Sequence, residues 1–136
     1  MRLFLPLLLG LTFAAGLALA DGLVADDALS ITAPTPQQAA ELLELAAPLQ
    51  VRRIEDGVPG WSVSKDGRVV GEIGSTWEIA GSVGYSGRPL DVLVALTPDA
   101  RISGALLVRH NEPVLTLGIS DTDIAAYVAG FKGFDL

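Results

Sequence analysis

The residue types best suited to chemistry lie together at one corner, His110-Asn111-Glu112-Pro113, which carries the only histidine of the chain. Histidine titrates near neutral pH and a nearby carboxylate can set its tautomer, so acid–base chemistry is one interpretation. One histidine and one glutamate are too few ligands for a metal site by themselves. No nucleophile matches the pair, and we predict neither a catalytic residue nor a metal site. The structural alternative is a turn whose polar side chains are simply solvated.

A second polar feature is the segment in which Gly81, Gly84 and Gly87 are spaced three apart. Glycines allow backbone N–H groups to approach a phosphate closely. The segment lacks the Lys-Ser/Thr of a P-loop, and a strand follows it instead of a helix. The pattern therefore favours a mobile linker between two strand pairs over a phosphate-binding loop.

Two strands are predicted to present the histidine corner, at residues 90–97 and 102–109, joined by a turn at Pro98. The first is apolar on both faces, which is typical of a central strand that is covered on both sides. A further apolar run, residues 114–119, follows the corner.

Three earlier segments also have strand patterns, namely residues 51–54, 61–64 and 68–73. Lys65-Asp66-Gly67 predicts a hairpin turn between the second and the third. Gly74 suggests a bulge or bend, after which residues 75–79 are predicted to continue the strand. Both tryptophans are predicted to pack against the sheet.

Two helices are predicted to flank these strands. Thr35 and the glutamine three residues later form a capping box for the first helix, which Pro48 is expected to end. Ser120 caps the second helix, which should end at Gly130 or Gly133. The predicted fold class is α+β, a twisted antiparallel sheet with flanking helices.

The amino terminus predicts export. Residues 1–20 have a charged start, an apolar run and an Ala-Leu-Ala end, which is typical of a cleaved signal peptide, with a membrane anchor as the alternative. Residues 21–48 are interpreted as an acidic lead and an amphipathic helix, and residues 49–136 as the remaining domain. The chain has no cysteine, so we expect neither disulfides nor thiolate-bound metal clusters in it.

Charge excludes one class of partner. Removal of Arg2 with the first 20 residues leaves 8 basic against 16 acidic residues, and no Lys/Arg cluster is present. Nucleic acids and anionic membrane surfaces attract basic patches, so neither is an expected partner.

A family resemblance rests on Gly84-Tyr85-Ser86-Gly87, on Arg101-Ile102-Ser103-Gly104 and on the corner with its extension to Gly118-Ile119. The His-x-Glu-Pro-Val-Leu pattern is its most specific part. In this order they resemble FMN-binding domains, the extracytoplasmic flavin modules of membrane electron-transport complexes. Within that group the chain is most similar to the periplasmic N-terminal domain of NosR/NirI-type proteins, membrane regulators required for nitrous oxide reductase.

The resemblance implies that FMN is the cofactor and that Tyr85, His110, Glu112 and Pro113 contribute to its site. In that family FMN is commonly attached to the threonine of a Ser-Gly-Ala-Thr motif. The nearest string here, residues 103–106, ends in leucine and has no acceptor hydroxyl. Residues 49–136 are therefore interpreted as the N-terminal part of an FMN-binding domain. The threonine, the membrane-anchoring helices and any iron–sulfur clusters are expected in a missing C-terminal part.

The resemblance also implies a function: a periplasmic electron-transfer or regulatory module at the extracytoplasmic face of the inner membrane. Its expected partners are the nitrous oxide reductase system and membrane electron donors. Whether the module is an enzyme is left open. Two alternatives are a non-catalytic sensing or interaction domain without flavin, and a flavin subunit of an Rnf- or Nqr-type complex.

Overall fold

A computed structural model describes Ile31 and residues 33–135. The predicted signal peptide, residues 1–20, and residues 21–30 of the acidic lead lie outside the described residues. Within Ile31 and residues 33–135, no helix combines the length and the hydropathy needed to cross a bilayer.

The centre of the fold is a five-stranded antiparallel sheet in which each strand pairs with its neighbours in sequence. Its strands are β1 (Gln50–Arg53), β2 (Trp61–Lys65), β3 (Arg68–Ser75), β4 (Asp91–Leu96) and β5 (Ile102–Arg109). Helices α1 (Pro36–Leu43), α2 (Thr76–Ala80) and α3 (Asp121–Ala129) accompany it, together with a 3-10 helix at Pro113–Thr116. The predicted α+β class is confirmed.

The turn between β2 and β3 forms where the sequence predicts it. Asp66 and Gly67 both have positive φ, 49° and 77°, as a two-residue hairpin turn of the primed type requires. A register irregularity lies one step further, because Val63 pairs with Gly71 while the next residue pairs with Val69. The predicted bulge at Gly74 is wrong, since Gly74 pairs regularly with β4.

The predicted continuation of the strand through residues 75–79 is also wrong, because α2 begins at Thr76. Ser75 ends β3 and its hydroxyl accepts the N–H of Glu78 at 3.1 Å, which starts the helix. Gly74 makes room for this turn: a Cβ there would lie 2.6 Å from the side chain of Ile79.

Helix α1 confirms the predicted start and corrects the predicted end. The Thr35 hydroxyl accepts the N–H of Gln38 at 3.1 Å, and the Gln38 side chain accepts the N–H of Thr35 at 2.9 Å. The helix ends at Leu43 because Glu44 is left-handed, with φ 53°. Pro48 is thus not the residue that stops it.

The core lies between α1 and one face of the sheet. Trp61 is buried there, as the sequence predicts for a packing residue, whereas Trp77 is half-buried on α2. Gly104 allows α1 to approach β5, since a Cβ would lie 2.6 Å from the carbonyl oxygen of Leu42. Burial of a large apolar side chain in this core stabilises the folded state by about 1.5–3 kcal/mol. The core residues are Ala39, Leu42, Leu43, Leu49, Trp61, Val63, Ile73, Leu93 and Ala95.

Helix α3 lies on the opposite face, where it packs against β5 and leaves Val92 and Val94 of β4 half-buried, so the cover predicted on both sides of β4 is only partial. The Ser120 side chain accepts the N–H of Asp123 at 3.2 Å, and Gly130 is the C-cap. Its apolar face is only partly covered, because Tyr127 remains 74% exposed and Phe131 47% exposed. A groove therefore remains between α3 and the sheet.

Candidate functional site

The glycine-spaced segment, predicted to be a mobile linker, folds as a small hairpin. Val83 pairs with Pro89, and the Gly84 N–H donates to the Arg88 carbonyl at 2.9 Å. The Gly87 N–H donates back to the Gly84 carbonyl at 3.0 Å, which closes the tip. Hydrogen bonds across the loop therefore hold residues 82–90 in one conformation.

Buried polar groups fasten the base of this hairpin to the sheet. Asp91 accepts the hydroxyl of Ser75 at 2.7 Å and lies at the first position of β4. The Thr76 hydroxyl accepts the Val92 N–H at 3.0 Å and the Ser82 hydroxyl at 2.9 Å. Because each buried polar group has a partner, α2, β4 and the hairpin are held in one arrangement.

Glu112 joins the histidine corner to the hairpin tip. Its carboxylate accepts the Ser86 N–H at 3.0 Å through Oε2 and the Ser86 hydroxyl at 2.6 Å through Oε1. Gly84 provides the space, since a Cβ there would lie 2.1 Å from Oε1. Glu112 is only 5% exposed, so the solvated-turn alternative is wrong for this residue.

This contact bears on phosphate binding. The Ser86 N–H, a natural donor to an anion at the glycine turn, already donates to a carboxylate. A phosphate at the same place would face the like charge of Glu112 at short range. The hairpin as folded therefore has an internal anion at the position where a phosphate would be bound.

The four predicted cofactor residues are only partly brought together. Tyr85 and Glu112 both border one cavity of about 590 Å³, but Tyr85 is 96% exposed. His110 Nδ1 faces the Glu112 N–H at 3.4 Å, yet the residue lines a different cleft, beside α3. Pro113 begins the 3-10 helix.

A further cavity, which sequence reasoning missed, is the groove between α3 and the β4–β5 hairpin. Its volume is about 610 Å³, and its exposed surface is apolar. The sequence signal for this cavity was that β4 is apolar on both of its faces and that α3 also has an apolar face. Its lining includes Leu90, Val92, Val94, Ile102, Leu107, Leu115, Ile119, Ile124, Tyr127 and Phe131.

The charged residue at the rim of this groove is held in its ionised form. Hydrogen bonds from the side chain and backbone of Ser120 lower the pKa of Asp123 below its usual value. The Tyr127 and Phe131 rings meet edge to face, 5.8 Å between centroids, further along α3. Within the described part of the chain, no group of three or more His, Asp or Glu side chains is arranged to hold a metal.

Comparison with known proteins identifies the relationship. Protein NirI of Paracoccus denitrificans is 58% identical over 106 residues, which cover 78% of this chain. The chain is related to NirI and NosR. Regulatory protein NosR of Pseudomonas aeruginosa is 33% identical over 86 residues, and that of Stutzerimonas stutzeri 25% identical over 72. The predicted NosR/NirI-type resemblance is thus confirmed.

The matches cover only a small part of the relatives. They span 16% of NirI and 12% and 10% of the two NosR proteins. No family model and no solved structure matches the chain. Membership of the wider FMN-binding family therefore stays a prediction.

Proposed function

We propose that this chain is a regulatory module of a NosR/NirI-type system that supports nitrous oxide reductase at the extracytoplasmic face of the inner membrane. The observation that carries this is the 58% identity with NirI over most of the chain, joined by matches to two proteins named regulatory. Its partners in this proposal are the nitrous oxide reductase system and membrane electron donors. Deletion of the coding sequence for this chain is then expected to lower the amount of active nitrous oxide reductase in the cells. An unchanged amount would contradict the proposal.

The proposal includes FMN, with its ring in the apolar groove. Small-molecule sites typically have volumes of about 300–1,000 Å³ and mostly apolar walls, which the groove matches. The half-buried side chains of Val92 and Val94 form its floor, and Tyr127 stands exposed at its rim. When bound, a flavin supplies one- and two-electron transfer. The residues of this chain contribute a wall that excludes water from the ring.

The described residues fit the ring of FMN but not its phosphate. The exposed groove surface has no polar group to meet a phosphate, and the Ser86 N–H and hydroxyl of the glycine hairpin already donate to Glu112. In this proposal the phosphate is held by residues outside the described part of the chain. Tyr85 and His110 do not line the groove, so they are not among the ring contacts of this proposal.

Flavin titration tests this assignment. The folded chain should bind riboflavin and FMN with dissociation constants within about threefold of each other, because the phosphate makes no contact that discriminates them. Tyr127→Ala removes an exposed groove residue and should weaken both flavins. Tyr85→Ala removes another exposed tyrosine, at the hairpin tip and outside the groove, and is the matched control.

Flavin fluorescence quenching, with circular dichroism to verify folding, gives the readout. Failure of the folded chain to bind either flavin would refute the ring site. Binding of FMN at least tenfold more tightly than riboflavin would show a phosphate site among the described residues and contradict the placement given above.

A second candidate function is the non-catalytic interaction domain without flavin. The observation that favours it is an unpaired strand edge on β5, described below. No feature of the described residues favours the Rnf- or Nqr-type alternative.

A further inference from the structure

Strand β5 is the last strand of the sheet, and most of its outer edge is free. At its start the Ile102 N–H donates to the Phe134 carbonyl, and the Ile102 carbonyl accepts the Gly133 N–H, both at 2.8 Å. Among the described residues, no strand pairs with the outer side of β5 from Gly104 to Arg109.

A cleft of about 630 Å³ runs along this free edge. Six successive residues, Ala105 to His110, line one side, and Asp121, Ile124 and Ala125 at the start of α3 line the other. Neighbouring residues of a strand point to opposite faces of the sheet. A cleft that contacts six residues in a row must therefore lie against the strand's edge, where backbone N–H and C=O groups are accessible.

The edge lacks the usual protection against pairing. Natural edge strands carry lysine or proline, or are covered by another element. Ile102–Arg109 contains neither residue type, and its apolar side chains are half-buried, apart from Val108, which is exposed. Its pairing with β4 is regular from Gly104 to Leu107, with irregularities on both sides, so the free edge suits a short strand.

The chemistry of a fitting strand can be inferred from β4, which pairs with the inner side of β5. There Asp91 lies opposite Arg109, and apolar residues follow it. Within the described part of the chain, Arg109 forms no salt bridge, and Nε2 of His110 has no partner. Asp121 also borders the cleft, but it is exposed at the helix start, where water and salt screen its charge.

We propose that the outer edge of β5 is a docking site for an extended segment of a partner polypeptide, with an acidic residue at the Arg109 end and apolar residues after it. The segment adds as a sixth, antiparallel strand beside the outer edge of β5, in the cleft that the start of α3 borders. Main-chain hydrogen bonds supply affinity, and contacts with Arg109 and with the apolar side of α3 supply selectivity. This inference is independent of flavin binding.

A synthetic peptide tests the site. The probe is fluorescein-labelled Asp-Val-Leu-Val-Ala-Leu, which copies the pattern of β4. It should bind the folded chain saturably and protect from hydrogen exchange those amides of residues 105–109 that face outward and do not already donate to β4. Replacing its aspartate with lysine should weaken binding about two- to fivefold, the range of an exposed ion pair. In Arg109→Ala that preference should disappear.

Two variants of α3 separate the cleft from nonspecific adhesion. Ala125→Trp fills the cleft from the helix side and should abolish peptide binding, because it leaves no space beside the strand. Ala126→Trp places the same bulk at the next position, which does not line the cleft, and should leave binding unchanged.

Three outcomes would overturn the proposal: no saturable binding of the peptide, equal binding by the two tryptophan variants, or exchange protection outside residues 105–109. Light scattering adds a fourth. If the free chain forms dimers that Ala125→Trp dissociates, the edge is occupied by a second copy of this chain instead of a partner segment.

Discussion

Glu112→Ala should separate the histidine corner from the glycine hairpin. In the native chain the buried carboxylate accepts both the N–H and the hydroxyl of Ser86. Hydrogen bonds to charged groups contribute about 1.5–3 kcal/mol each. Ser86 is exposed, so water replaces part of what is lost, and we expect a decrease in unfolding free energy of about 2–3 kcal/mol.

The same structure predicts the effect of milder substitutions. Glu112→Gln keeps one acceptor oxygen without the charge and should lose about half as much, because charge-assisted hydrogen bonds are about twice as strong as neutral ones. Gly84→Ala should resemble Glu112→Ala, since its Cβ would displace the carboxylate. Combining Gly84→Ala with Glu112→Ala should lower the unfolding free energy by less than the sum of the two single effects, because both substitutions remove the same contact.

Thermal and urea unfolding measure these differences. For a domain of this size about 2–3 kcal/mol corresponds to a decrease in Tm of roughly 8–20 °C. Glu72→Ala, which removes an exposed glutamate from β3, is the control and should stay within about 0.5 kcal/mol of the native chain. If Glu112→Ala and Glu72→Ala are equally stable, the carboxylate does not hold the hairpin and the reasoning fails.

Three further predictions concern the supports of the site. Asp91→Ala should lower the unfolding free energy by about 2–3 kcal/mol, because it leaves the buried Ser75 hydroxyl without its acceptor; equal stability of Asp91→Ala and the native chain in urea would contradict this. Gly104→Ala should cost about 1–3 kcal/mol in the same assay, since its Cβ meets the Leu42 carbonyl and α1 must move. A hydrogen bond from Arg53 on β1 lowers the pKa of Glu78. The small stabilising contribution of this ion pair is therefore complete above the unfolded-state pKa of Glu78, near 4.5, and is lost as pH falls through the lower folded-state pKa. An NMR titration that gives Glu78 an ordinary pKa would refute this prediction.

The sequence specified the local elements because their signals act over a few residues. The capping box at Thr35 and the N-cap at Ser120 formed as predicted, and so did the Asp66-Gly67 turn. The sequence misled where a distant contact decided the outcome. Residues 75–79 have strand-forming types, but Ser75 pairs with Asp91, and the chain turns into a helix.

By itself, then, the sequence determined the α+β class, the β2–β3 and β4–β5 hairpins and a resemblance that comparison confirmed as NosR/NirI-type. Only the tertiary structure decided which polar groups meet. Nothing in the residue types at positions 86 and 112 shows that they share hydrogen bonds, because 26 residues of chain separate them. The tertiary structure also decided that α3 leaves an open groove and that most of the outer edge of β5 is free among the described residues. Those features depend on how helices and strands pack in space, which local patterns do not encode.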